Sequence, residues 1–543
     1  PESYPTAATT RPDAEDINRD NTLSDDERYF QYKVLIDPNK MNVGENYITD
    51  IYNAQGIRLP NGQIGEVKWY QFKIPVRDPE KIIGGIQDFQ SIRFLRMFLK
   101  GFENPIVLRF ATLDLVRGEW RRYRYDLLAP GEYIPNDIQS ETSFDILSVN
   151  IEENGKRQPI PYAIPPGIER EVNLGTTNLQ QLNEQSMVLR VCNLIDGDAR
   201  GAYKTTDFDF RDYGFIEMFV HAEKLIDNQE LNHGDLTVFM RFGADLTENY
   251  YEYEIPLHFT PWHTSYNEPD LIWPEENKFK IDLKRLVQFK IERNEQMRNA
   301  GATGISLTMP FYAFDGNNRV TILGSPNLSS VKAIMIGVRN PKQTSFSIND
   351  DGEPKCAEIW VNELRLTDFN NQGGFAATAR LRSDLSDFGN ITLTGLFSTP
   401  GFGTIEKKTS ERSKEFIKNW DFSSNLELGK FFPENAGIKI PMHFDYSESR
   451  TDPKYNLLDP DVLLREDVKT FDTKQDRDSI IRINQDYVQR KNINFINMRK
   501  TKMGASQKTN FYDIENWGFT YSYSEIYARN VDYQYDIQKK YLG

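Results

Sequence analysis

Ten residues, "IKIPMHFDYS" at 438–447, limit the possible folds more than any other stretch. In an extended chain Ile438, Ile440, Met442, Phe444 and Tyr446 point one way, and Lys439, Pro441, His443, Asp445 and Ser447 the other. The same period of two runs through "WGFTYSYS" at 517–524 and "FAATARLR" at 375–382. Such alternation predicts antiparallel strands with one apolar and one polar side. Two environments satisfy it: the core side of a soluble sheet and the lipid side of a membrane barrel. The apolar side is heavy in Trp, Tyr and Phe, as in interfacial girdles. Long polar segments such as "TIEKKTSERSKEFIKN" separate the strands, as outer-membrane loops do. The pattern alone leaves both environments open.

Composition narrows the partners. Lys plus Arg number 65 and Asp plus Glu 80, a formal charge of −15, which argues against nucleic acid. Aromatic residues are 13% of the chain, too many rings for a disordered one. No window approaches the run of about 18 apolar residues that a membrane helix needs, which leaves a β-barrel possible. Without an initiator Met or signal peptide at Pro1, and with strand-like sequence up to Gly543, the chain reads as a piece of something longer. Cys192 and Cys356 cannot form a CxxC zinc site and make at most one long-range disulfide.

Four regions follow. Residues 1–30 read as an acidic linker, 31–130 as a β-sandwich module or part of one, 131–370 as a second sandwich, and 371–543 as alternating strands with polar loops, which the resemblance given below implies are outer-membrane barrel strands. The fold class is mostly β, with jelly-roll-like sandwich modules followed by antiparallel strands, which the family resemblance given below implies are transmembrane. The sandwich region repeats itself. "FLRMFL" at 94–99, then "LRFATLDL" and "YRYDL", are matched by "FIEMFV" at 215–220, then "MRFGADL" and "YEYEIPL". A looser third copy runs from "VKAIMIGV" at 331 to "AEIWVNELRL" at 357. In "IDLKRLVQFKIER", Leu283, Leu286 and Val287 share a helical face.

Local chemistry is sparse. "DINRDNTLSDDE" at 16–27 sets Asp16, Asn18, Asp20, Thr22, Ser24 and Glu27 at the ligand spacing of an EF-hand or dockerin calcium loop. Asn21 replaces the preferred Gly, a mild defect because Asn tolerates the left-handed conformation. A solvated acidic linker is the competing reading. Calcium there would be a structural clip on the linker. The five histidines, His221, His233, His258, His263 and His443, match no HExxH motif, and His221 with Glu223 lacks a deaminase's PCxxC. Carboxylate pairs such as Asp207 with Asp209 and Glu252 with Glu254 carry little weight in so acidic a chain. Trp262 and Trp273 could stack on sugars, but such rings are more often core.

"AEIWVNELRLTDFN" running into "GGFAATARLRSDLSDFGNITLTG", "IPMHFDYSESRTDPKYNLLDPDV", "NINFINMRK" and "FYDIENWGFTYSYSE" resemble the SprA/Sov family, the giant outer-membrane translocons of the Bacteroidetes type 9 secretion system. The resemblance covers essentially the whole chain, of which the family's proteins are several times the length. It implies an internal segment of a large barrel that passes folded cargo bearing a C-terminal signal domain to the cell surface. It also implies a PorV-type shuttle barrel and a periplasmic plug protein as partners, outer-membrane lipid as surroundings, and no catalysis. The polar stripe of Thr378, Arg380, Arg382, Lys439, His443, Asp445, Thr520 and Ser522 would then line the channel. A surface adhesin or glycan-binding array of sandwich modules is the competing class, and a polysaccharide hydrolase a third.

Overall fold

The computed structural model describes residues 28–543 except 43–45, 59–63, 87–88, 90–91, 93–94, 114, 116–117, 126, 128–141, 171, 174–179, 226–229, 301–303, 305, 343–350, 409–410 and 504–509. The calcium-like loop, Asp16 to Glu27, lies outside the described residues. Two compact units divide the chain at Arg117 and Gly118.

The first unit holds two small antiparallel ladders. Tyr29–Gln31 pairs with Lys81–Ile83, and Ile48–Arg58 with Ile64–Phe72. No sandwich forms in this unit among the described residues. The "YRYDL" element expected with it falls in the second unit. Arg121–Arg122 adds an edge strand there, and Tyr123 and Leu127 pack with Phe239, Leu246 and Met335. Burial of that ring and leucine explains why the boundary falls at 117 and not at 130.

The second unit begins with a sandwich. Its strands are β1 (Ser143–Asn150), β2 (Gln185–Leu194), β3 (Ala199–Phe208), β4 (Phe215–Lys224), β5 (Thr237–Gly243), β6 (Tyr250–Pro256), β7 (Phe279–Asp282), β8 (Phe311–Asp315), β9 (Asn318–Leu323), β10 (Val331–Arg339) and β11 (Lys355–Thr367). A seven-stranded antiparallel sheet runs β8-β9-β6-β5-β10-β3 and ends on Arg121–Arg122. A five-stranded one runs β7-β4-β11-β2-β1. Met218, Val220, Ile359 and Val361 of one sheet meet Val238, Met240, Ile334 and Ile336 of the other in the main core. The outer sides are buried as well. Phe219, Val188 and Trp360 lie under Ile160, Tyr162 and Trp273, while Phe239 and Met335 lie under Tyr123. Strands covered on both sides explain the near-continuous apolar run of "VKAIMIGV". Gly337 stands opposite Phe239 because a Cβ there would come within 2.3 Å of the ring. A Cys192–Cys356 disulfide joins β2 to β11.

Helix α1 (Leu283–Ala300) starts where Asp282 Oδ1 accepts from the backbone N–H of Lys284 at 2.9 Å. Leu283, Leu286 and Phe289 sink into the main core, with Val287 packed beside them. Lys290 and Arg293 share the buried side at 0% and 1% exposure.

After residue 370 the chain forms an eight-stranded antiparallel sheet. Its long strands are β12 (Ala376–Asp384), β13 (Gly389–Ser398), β14 (Glu415–Glu427), β15 (Pro441–Pro453), β16 (Asp486–Lys500), β17 (Phe519–Arg529) and β18 (Asp536–Leu542), in spatial order β12 to β18. The two-residue strand Ile438–Lys439 pairs with β16. Between β15 and β16 lie two helices, α2 (Leu464–Lys469) and α3 (Lys474–Asn484).

Candidate membrane-facing sheet and its anchor

Strands β12 to β17 are 9 to 15 residues long. A tilted strand crosses a bilayer in about 9–11 residues. Residues directly opposite in an antiparallel ladder share a side, so the register assigns both faces. One face carries Leu381, Leu393 and Phe422 beside Tyr446. It continues through Ile391 and Phe444 beside Ile493, Tyr523 and Tyr541, then Leu426 beside Met442, Phe495 and Tyr521. Aromatic neighbours touch across the ladder, Trp420 to Tyr446 at 4.9 Å and Phe422 to Phe444 at 5.9 Å between centroids. These side chains enter no closed core: Leu381 is 67% exposed and Tyr541 64%.

The opposite face is mainly polar, with Leu396, Ile417, Val488 and Ile526 as its large apolar residues. Arg382, Thr392, Ser423, Asp445, Asn492 and Ser524 form one row across six strands. The next row runs Asp384, Asn390, Asn425, His443, Asn494 and Ser522. His443 Nδ1 lies 2.8 Å from Asn425 Oδ1, and its Nε2 lies 2.8 Å from Asp445 Oδ2. Ser449 donates to Asn419 at 2.9 Å. Thr378, Arg380, Arg382, His443, Asp445, Thr520 and Ser522 all fall on this face. Lys439 stands opposite Arg499. A bulge at Asn497, whose φ of 55° is left-handed, shifts the phase of β16 so that Met498 meets Phe519, which sets Arg499 on the polar side opposite Lys439. The structure thus brings together all eight residues of the expected stripe.

The apolar band runs obliquely across the ladder. Toward the ends at Glu415, Pro453 and Asp486, the apolar face turns charged, with Lys418, Glu448, Arg450, Lys491, Glu525 and Lys539. The last apolar residue before these charges is Trp420 on β14, Tyr446 on β15, Ile493 on β16 and Tyr523 on β17. Trp420 pairs with Glu448, Tyr446 with Lys491, and Ile493 with Tyr523, so the boundary advances two rows over three strand spacings. Two rows are about 13 Å and three spacings about 14 Å, so the boundary is inclined by roughly 40° to the hydrogen-bonding direction.

The charged end of the sheet is fastened to the sandwich. Lys290 Nζ of α1 donates to Asp461 Oδ1 at 2.7 Å and to the Pro326 carbonyl at 2.7 Å, and it also contacts Asp459. Tyr251 Oη of β6 donates to Asp461 Oδ2 at 2.7 Å, and Asn294 Nδ2 to Asp459 Oδ2 at 3.1 Å. Burial and the neighbouring Asp461 charge push the Asp459 carboxyl up to about 6, against the pull of Lys290. For Asp461, burial is outweighed by Lys290 and by the hydrogen bonds it accepts, so its carboxyl lies below the ordinary value. A second clasp joins Arg211 to Asp209 at 2.8 Å and Lys414 to Asp209 at 2.6 Å. Arg211 also donates to the Pro460 carbonyl at 2.9 Å and covers the Tyr455 ring at 4.4 Å. Arg298 lies over Phe471 at 4.4 Å and donates to Thr470.

None of these anchor residues was legible as a site, because Lys290 and Asp461 are separated by 171 residues. The available signal was the acidic "LDPD" beside "PKYN", next to a helix whose buried face carries Lys290 and Arg293. Glu252, Glu254 and His221 are buried, whereas Asp207, His233 and His263 are exposed and His443 lies on the polar face of the sheet. Glu252 accepts from Arg241 at 2.8 Å and Arg339 at 3.0 Å, and His221 packs on Trp360 with centroids 4.0 Å apart. Trp273 is buried and Trp262 packs against the same cluster.

Fold and faces define the class: an antiparallel β protein in which a sandwich is clamped to one end of a sheet with an apolar and a polar side. The chain belongs to the SprA_N family, described as motility related/secretion protein, whose pattern matches residues 1–468. It is accordingly a motility- and secretion-related protein. No curated protein matches the chain.

Proposed function

We propose that this chain is a segment of an outer-membrane protein-conducting channel that exports folded proteins carrying a C-terminal signal domain, as in type 9 secretion and gliding motility. The eight-stranded sheet is part of the barrel wall, with Phe422, Phe444 and Tyr523 toward lipid and Ser423, Asp445 and Ser522 toward the wet lumen. The inclined apolar boundary is the observation that supports this reading most. Barrel closure tilts strands by about 35–45° from the axis, so a lipid belt level with the membrane must cross the ladder at that angle. The core side of a sandwich has no such requirement. Further strands would continue from the edges at β12 and β18, and the sandwich would sit outside the bilayer beside the charged end.

The wall of a conduit needs to be wide, hydrated and non-adhesive, which suits a hydroxyl- and amide-rich face and a net negative extramembrane surface. No catalytic step belongs to this role. A PorV-type shuttle barrel and a periplasmic plug are the expected partners. A glycan-binding array would instead need Trp262 and Trp273 exposed as a platform. Detergent extraction of the native protein from outer membranes, with mass spectrometry of what co-purifies, tests the proposal. Recovery with a shuttle barrel, a plug and exported cargo supports it, and recovery from the released soluble fraction overturns it.

A further inference from the structure

The two matched copies of the internal repeat have opposite fates. In the second copy, "FIEMFV" forms β4, and Ile216, Met218, Phe219 and Val220 are 2%, 1%, 7% and 1% exposed. At the matching places in "FLRMFL", Leu95, Met97, Phe98 and Leu99 are 62%, 54%, 69% and 52% exposed. "VFMRFGADL" behaves likewise, since Phe239 and Phe242 are fully buried while the corresponding Val107 and Phe110 are 85% and 66% exposed. Residues 95–113 form no ladder among the described residues. The same side-chain pattern is therefore a sandwich core in one copy and an open apolar surface in the other, far more than a solvated segment tolerates.

What the second copy has and the first lacks can be named. β4 is paired along β11, and β5 along β10, which are the two strands of the third copy, "AEIWVNELRL" and "VKAIMIGV". Neither can serve the first copy too. β10 is filled on both edges, by β5 and β3, and β11 by β4 and β2.

We propose that residues 95–113 are an acceptor surface for two further β-strands of this third type, supplied by a segment of the same polypeptide outside residues 1–543, which complete a sandwich in the first unit. The donated strands carry apolar residues on both sides, as β10 and β11 do, because their counterparts are covered by both sheets and by outer loops. One strand lies along 95–99 antiparallel, as β11 lies along β4, and the other along 107–113, as β10 lies along β5. The donor belongs to the same protein because the repeat itself carries acceptor and donor strands on one chain.

Photo-crosslinking in the native full-length protein tests this, with benzoylphenylalanine placed as Phe98→benzoylphenylalanine and, separately, at Val107. Cross-linked peptides are mapped by mass spectrometry, and amide hydrogen exchange is measured on the unsubstituted protein. The expected result is a cross-link from each site to a different strand of one intramolecular segment outside 1–543, with amides 95–99 and 107–113 protected at least 100-fold over a free peptide. Cross-links to another protein, to lipid or within 1–543 overturn the proposal. Exchange of these amides at the free-peptide rate overturns it as well, whatever the substituted proteins do.

Discussion

Lys290 Nζ on the sandwich helix lies 2.7 Å from Asp461 Oδ1 in the segment between β15 and β16, and both side chains are wholly buried. This pair ties the sandwich to the sheet. Replacing the ammonium by Lys290→Met removes the cation that contacts both carboxylates and leaves only the buried Arg293 guanidinium to offset their charges. The expected loss is about 3–5 kcal/mol, measured by thermal unfolding and seen locally as new proteolysis within 454–463. The triple variant that adds Asp459→Asn and Asp461→Asn regains part of that loss.

The same anchor gives a pH dependence of definite sign. Asp459 has its carboxyl raised to about 6, above its ordinary 3.8, so the folded state binds this proton more tightly than the unfolded state. Its contribution is most favourable below the ordinary value and is lost as pH rises through about 6. Asp461, shifted down, contributes in the opposite sense and only below its ordinary value of 3.8. Between pH 7 and 4.5 the anchor should therefore tighten as pH falls, by on the order of 2 kcal/mol, the part of the shift realised above the ordinary value. Protease resistance of the 454–463 segment across this range checks it, and Asp459→Asn should flatten the profile.

The Cys192–Cys356 disulfide closes a loop of 164 residues between adjacent strands. Reduction without denaturant should lower stability by about 2–4 kcal/mol while leaving the two sheets paired. Denaturant midpoints of oxidised and reduced protein, compared by circular dichroism, measure the difference.

On the eight-stranded sheet, a charge should be tolerated on one side and not on the other. Phe444→Arg places a guanidinium on the apolar band and should cost about 2–4 kcal/mol if the site lies near the bilayer midplane. Ser447→Arg, on the opposite side of the same strand, should cost under about 0.5 kcal/mol, as exposed substitutions usually do. Heat stability of the two variants in outer-membrane fractions separates them.

The sequence made some of this legible and not the rest, for physical reasons. Period-two alternation at 438–446 and 517–523 gave the strands and their two faces, since side-chain direction in an extended chain is a local property. Alternation set all eight stripe residues on one side, whereas the bulge at Asn497 that places Arg499 opposite Lys439 depends on cross-strand pairing and is not legible locally. Helix α1 was readable from Leu283, Leu286 and Val287. Lys290 with Asp461 and Arg211 with Pro460 were not, because packing across long separations fixes them and periodicity does not. The repeat pointed to sandwich strands at 94–99, yet a strand also needs a neighbour, and β10 and β11, which pair the second copy, are already filled on both edges. Tyr123 and Leu127 joined the second unit because its outer core offered them burial.

The central claim is that the β14–β17 ladder has a lipid side and a water side, and β15 is where to measure it. Single cysteines placed from Met442 to Ser447 in the otherwise native protein, spin-labelled in outer membranes, report collision with oxygen and with a water-soluble nickel chelate. The account predicts high oxygen and low nickel accessibility at Met442, Phe444 and Tyr446, and the reverse at His443, Asp445 and Ser447. Equal nickel accessibility at Phe444 and Asp445, or shielding of Phe444 from oxygen and nickel alike as in a closed protein core, would contradict it.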